Sequence, residues 1–113
     1  MHWIHLTDDE QLKNIICRSQ EKPQVIFKHS TRCSISSVAL KRLQQAQAPV
    51  NADFYFLDLI TYRSVSNNVS NKFKIDHASP QVLVIKDGEC VYDESHLSIS
   101  MDDIIEQTTS NLC

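Results

Sequence analysis

The stretch Gln24-Val25-Ile26-Phe27-Lys28-His29-Ser30-Thr31-Arg32-Cys33-Ser34-Ile35-Ser36 passes from strand to loop to helix within a few residues, and its reading decides the fold. Residues 24–28 form a largely apolar run after Pro23, as expected of a strand buried inside a sheet. His29-Ser30-Thr31-Arg32 reads as a polar loop. Beyond it Ile35, Val38, Ala39, Leu43 and Ala46 recur at helical spacing and predict an apolar helix face, with Lys41, Arg42, Gln44 and Gln45 on the wet side. Pro49 follows the end of that pattern. Cys33 stands where the loop becomes helix.

Outward from there the chain keeps alternating. Residues 2–6 alternate apolar and polar and predict a short strand. Thr7-Asp8-Asp9-Glu10 reads as a capping box, the Thr7 hydroxyl and Glu10 carboxylate satisfying the first backbone N–H groups of a helix. Leu12, Ile15 and Ile16 give that helix its apolar side to about Gln20, and Cys17 is assigned to the same side. Residues 54–59 are the next apolar run, and Val65, Val69 and Phe73 mark a third helix at four-residue spacing. Val82-Leu83-Val84-Ile85 suits a strand covered on both faces. Asp87-Gly88 predicts a type I′ turn, whose central residues need positive φ, joining residues 82–86 to residues 89–93. Cys90 falls in the second of these strands as a packing residue. The segment from Ser100 to Asp103 opens a last helix with Met101, Ile104, Ile105 and Thr108 on one side. The order β-α-β-α-β-α-β-β-α predicts an α/β fold, a thioredoxin-like three-layer α/β/α sandwich with a mixed central sheet and a C-terminal hairpin and helix.

Composition bounds what this layout can do. A chain of 113 residues makes one domain, residues 1–113. Hydrophobic residues at 42% and charged residues at 22% supply an ordinary globular core and surface. The single glycine, Gly88, excludes dinucleotide and phosphate loops, which need several. A net charge of −3 with no dense basic run argues against nucleic acid or an anionic membrane as partner. The N-terminus has neither the basic start nor the apolar core of a signal peptide. No run approaches the roughly 20 apolar residues that span a bilayer. The expectation is a cytoplasmic protein. Cys17, Cys33, Cys90 and Cys113 are scattered singly, with neither disulfide-framework density nor the paired spacing of a metal site, so free thiols and no metal are expected.

Among these thiols Cys33 has a functional address. The unpaired N–H groups and dipole of a helix N-terminus favour thiolate over thiol. Lys28, His29 and Arg32 precede it closely and add positive or chargeable groups. The competing reading is a cysteine that merely packs at a helix start. The turn reads Cys33-Ser34-Ile35-Ser36, so Ser36 stands where a dithiol enzyme has its second cysteine. A serine there can donate a hydrogen bond to the thiolate but cannot resolve a mixed disulfide, which favours a monothiol route. In thioredoxin-like layouts a proline before the hairpin's first strand is cis and lies against the active cysteine. Ser79-Pro80 holds that place and is expected to be cis, although most X–Pro bonds are trans. His29 and His77 flank the site and read as structural or surface residues rather than bases.

His29-Ser30-Thr31-Arg32-Cys33-Ser34-Ile35-Ser36-Ser37-Val38-Ala39-Leu40, together with His77-Ala78-Ser79-Pro80-Gln81-Val82-Leu83 and Ser95-His96, resembles three characteristic stretches of the monothiol bacilliredoxins, also called YtxJ-like proteins. The resemblance runs essentially end to end. It implies a cytoplasmic oxidoreductase of Gram-positive bacteria that use bacillithiol, acting on bacillithiolated client proteins with bacillithiol as co-substrate and no tightly bound cofactor. By the same resemblance Cys33 is the nucleophile. Thr31, Arg32, Ser34, Ser36, Ser79 and Pro80 form the pocket, and Arg63 reads first as a solvated cation at a helix start, with a carboxylate of the malate part of bacillithiol as its alternative partner. A second bacillithiol, or a separate redoxin, would regenerate Cys33. The family usually carries proline where this chain has Ser34, which loosens the turn. The alternative function is a non-enzymatic redox sensor or interaction module modified at Cys33. An iron–sulfur carrier of the monothiol glutaredoxin kind is disfavoured, because the chain lacks both the C-G-F-S turn and the glycine pair of that family. Cys113 is assigned to a mobile end.

Overall fold

A computed structural model describes residues 1–109. Strand β1 (Ile4–His5) leads to helix α1 (Asp9–Arg18), then β2 (Gln24–His29), α2 (Ser34–Gln45), β3 (Asp53–Asp58), α3 (Arg63–Phe73), β4 (Gln81–Lys86), β5 (Glu89–Ser95), a short 3₁₀ turn (His96–Ser98) and α4 (Met101–Thr109). The five strands form one sheet in the order β1-β3-β2-β4-β5. β1, β3 and β2 run parallel, while β4 is antiparallel to β2 and β5 to β4. This is the mixed sheet and terminal hairpin expected from the element order.

Strand alternation divides the core into two layers. Ile26, Leu83 and Ile85 pack with Leu12, Ile15, Val65, Val69 and Phe73 from α1 and α3. Val25, Phe27, Val82 and Val84 pack on the other face with Ala39, Leu43, Met101 and Ile104 from α2 and α4. At about 1.5–3 kcal/mol for each fully buried large side chain, these two layers hold the helices against the sheet. Among the described residues no helix is long and apolar enough to cross a membrane.

Several local readings shift. The cap of α1 is Asp8, whose carboxylate accepts from the Gln11 N–H at 2.9 Å. Gln11 Oε1 reaches back to the N–H of Thr7 and Asp8, so the box sits one residue later than Thr7–Glu10 and uses an amide instead of Glu10. Cys17 is exposed rather than core, because the buried stripe of α1 runs through Leu12, Ile15 and Ser19, and Cys17 lies about 200° around the helix from Ile15. In α2 the buried stripe is Ser36, Ala39 and Leu43, leaving Ile35 and Val38 at 39% and 45% exposure. The hairpin turn is as expected: Asp87 and Gly88 have φ of 52° and 78°. Asp87 N–H donates to the Ser19 carbonyl and Gly88 N–H to Ser19 Oγ, both at 2.9 Å, which fastens the turn to the end of α1.

Candidate active site

β2 and β3 are parallel, so the loops that follow both leave the sheet at one edge, and antiparallel β4 begins there. Cys33 lies on the first of these loops as the N-cap of α2, in extended backbone and partly exposed. Ser30 knots the loop: its carbonyl accepts the Cys33 N–H at 3.2 Å and its hydroxyl accepts the Arg32 N–H at 3.3 Å. The first turn of α2 has no side-chain cap and no acidic residue, so its N–H groups face the thiol uncompensated. Thr31, Arg32 and Ser34 surround the thiol in sequence and are exposed.

Ser36 takes a different part from the one expected. It is fully buried, its Oγ accepts the Ser30 N–H at 3.0 Å, and it lies 2.7 Å from His29 Nδ1. The hydroxyl therefore ties the end of β2 to α2 instead of donating to Cys33. His29, read as a loop residue, is the last residue of β2 and buried, and burial lowers its pKa. It packs between the rings of Phe27 and Phe56.

The Ser79-Pro80 bond is cis, as expected. Gln81 pairs with Lys28, which sets Pro80 opposite the end of β2, beside the departure of the Cys33 loop. The Pro80 carbonyl accepts the His96 N–H at 3.0 Å, anchoring the 3₁₀ turn to the same edge. Ser79 Oγ is buried without a partner. Arg63, the first residue of α3, is exposed at this edge.

Lys28 departs furthest from expectation. Its place in sequence groups it with His29 and Arg32 beside the thiol, yet strand alternation sends it to the opposite face of the sheet from His29. There it is fully buried, and its Nζ donates to the Ser66 carbonyl at 3.2 Å and to Ser70 Oγ at 2.8 Å and faces His77 Nδ1 at 3.4 Å. No carboxylate meets it among the described residues, and burial pulls its pKa down to about 8. The sequence signal was available: a lysine inside an apolar strand must find polar partners.

Cys17 and Cys90 lie on other elements, α1 and β5. Cys90 packs against the α1/α3 layer with its pKa pushed up to about 11 by burial, an inert thiol. Cys113 lies outside the described residues.

An N-cap cysteine beside a cis-proline on this sheet defines a redox protein of thioredoxin fold. The comparisons agree: the chain resembles a candidate oxidoreductase with a thioredoxin fold at 26% identity and TM-score 0.79, covering 91% of this chain and 90% of that one. Thioredoxin from Fasciola hepatica, at 18% identity and TM-score 0.72, covers 93% and 95% of the two chains. Mitochondrial thioredoxin 3 from Saccharomyces cerevisiae, also at 18% and 0.72, covers 94% and 92%. At that identity these two speak for the fold alone. More specifically, residues 4–104 match the profile described as monothiol bacilliredoxin BrxC, and the chain belongs to that family of redox oxidoreductases.

Proposed function

We propose that the chain transfers bacillithiol from mixed disulfides of client proteins through Cys33. The Cys33 thiolate attacks the bacillithiol sulfur, the client–bacillithiol S–S bond breaks, and the client leaves as a thiolate that takes up a proton. Cys33 then carries bacillithiol as its own mixed disulfide. A second bacillithiol thiolate, or the thiol of a separate redoxin, attacks the bacillithiol sulfur and releases Cys33. A disulfide is passed along, so no further oxidant or reductant enters. The setting is the cytoplasm of Gram-positive bacteria that use bacillithiol.

One observation carries this reading: Cys33 caps α2 while the position three residues on is a fully buried serine held by Ser30 and His29. The turn supplies one nucleophile and no resolving thiol. Thr31, Arg32, Ser34, Ser79 and Pro80 line the approach, and the backbone beside Pro80 receives the client chain. The exposed Ile35, Val38 and Leu97, on α2 and the 3₁₀ turn tied to it by the Arg42–Leu97 hydrogen bond, give that client an apolar rim. Arg63 meets a carboxylate of the malate part of bacillithiol.

The test mixes reduced protein with a bacillithiolated test protein and follows both intact masses. The bacillithiol mass moves to the wild type and not to Cys33→Ala. A test protein that stays modified, or an adduct on another cysteine, overturns the mechanism. An adduct on Cys33 that excess bacillithiol fails to turn over would establish the sensor reading instead.

A further inference from the structure

We propose that His77, held by buried Lys28, and Arg63 together form the subsite for a carboxylate on the low-molecular-weight thiol. This rests on the transfer reading above and names the residues that recognise its co-substrate. An ammonium has only donors, so the ring nitrogen facing Lys28 must accept. His77 Nδ1 is therefore unprotonated and the neutral ring carries its proton on Nε2. His77 is exposed, which makes that N–H a fixed donor at the surface. Burial, Lys28 and Arg63 all lower its pKa, so the ring stays neutral while the surroundings stay positive.

Arg63, Ser66 and Ser70 fall at helical spacing on one side of α3, and this side faces Lys28. The Arg63 side chain has no hydrogen bond or ion pair among the described residues. The nearest carboxylate in sequence, Asp58, is turned into its own loop, accepting from the N–H of Ile60 and Thr61 and from Thr61 Oγ1. His77 also lines an open cavity with Ser70, Lys74 and Asp76, whose carboxylate disfavours an anion there, and Arg63 is not among its lining residues. A buried ammonium without a counter-anion, an exposed guanidinium and an N–H donor thus meet around His77, two residues before the buried, unpartnered Ser79 hydroxyl. That is the chemistry of a carboxylate site. A buried Lys28 cannot touch the ligand; it is a positioning residue.

The experiment uses neutral test peptides in mixed disulfide with bacillithiol, with the same thiol lacking its malyl group, or with 2-mercaptoethanol, and measures the rate of Cys33 adduct formation from each. The wild type favours the malyl-bearing disulfide over the truncated one by about tenfold, the size expected of a charged hydrogen bond at a solvated site. In Arg63→Gln and in His77→Ala that ratio falls toward one. Lys28→Met weakens the ratio too, and unlike Arg63→Gln it also abolishes the Nε2–H tautomer signature of His77 in ring-nitrogen NMR. A wild-type ratio of one, or a ratio that survives both surface substitutions, overturns the subsite while leaving transfer intact. No adduct from any of the three disulfides removes the subsite and the transfer reading together.

Discussion

Gln24 and Lys28 project from the same face of β2, four residues apart, into two polar corners of opposite character. At the Gln24 corner everything is partnered. Asp53 Oδ2 accepts from Arg18 Nη2 at 2.8 Å and Gln24 Nε2 at 2.9 Å, and Oδ1 meets Lys22 Nζ at 3.0 Å. Tyr55 OH donates to Gln24 Oε1 at 2.8 Å, closing the network. At the Lys28 corner a buried cation has only neutral acceptors, while Ser66 Oγ, Ser79 Oγ and Gln81 Oε1 are buried without partners. Buried polar groups in a finished core are satisfied. The closed corner lies at the end of the sheet away from Cys33, and the open one lies at the Cys33 edge.

Both corners should gain stability as pH rises, but in separate windows, the open one in alkali and the closed one in acid. Burial lowers the folded pKa of Lys28 to about 8 from 10.5. Between those values the unfolded chain binds the proton and the folded one does not, so stability rises with pH across that window. Relative to Lys28→Met, wild type should gain roughly 3 kcal/mol between pH 8 and 10.5. Cys90, pushed up to about 11, works the other way, and the difference between the two proteins isolates Lys28. Parallel denaturant titrations check it, and parallel curves would break the comparison.

At the closed corner the hydrogen bonds of Gln24, Arg18 and Lys22 outweigh burial and hold the Asp53 carboxyl at about 2, below its ordinary 3.8. A carboxylate lowered in the folded state stabilises above its unfolded pKa, and this is lost as pH falls through about 2. Asp53→Asn should cost about 2 kcal/mol at pH 7 by thermal unfolding, with no change in Cys33 transfer. An equal loss of transfer would show that the corners are not separable.

Much of this was legible. The strand–loop–Cys33–helix passage, the Asp87-Gly88 turn and the cis Ser79-Pro80 bond follow from local chemistry and chain order, and the fold follows from them. What periodicity gives is spacing, and phase is settled by packing. Ile35 and Val38 keep helical spacing yet point outward because Ser36, Ala39 and Leu43 take the sheet-facing stripe. Cys17 was misplaced for the same reason. Strand parity separates Lys28 from His29, but only the tertiary fold shows that Ser66, Ser70 and His77 receive it. Ser36 was read by its place in the turn, whereas its hydroxyl follows the nearest buried acceptor and donor.

The monothiol route rests on one thiol, Cys33. A variant that keeps Cys33 alone, with Cys17→Ser, Cys90→Ala and Cys113→Ser, tests this most directly in a multiple-turnover assay with a bacillithiolated protein and excess bacillithiol. Turnover within about twofold of wild type is expected, since in a monothiol route no second cysteine takes part. Turnover that stops after one transfer in this variant, while wild type continues, would show that a second cysteine resolves Cys33 and would contradict the monothiol mechanism.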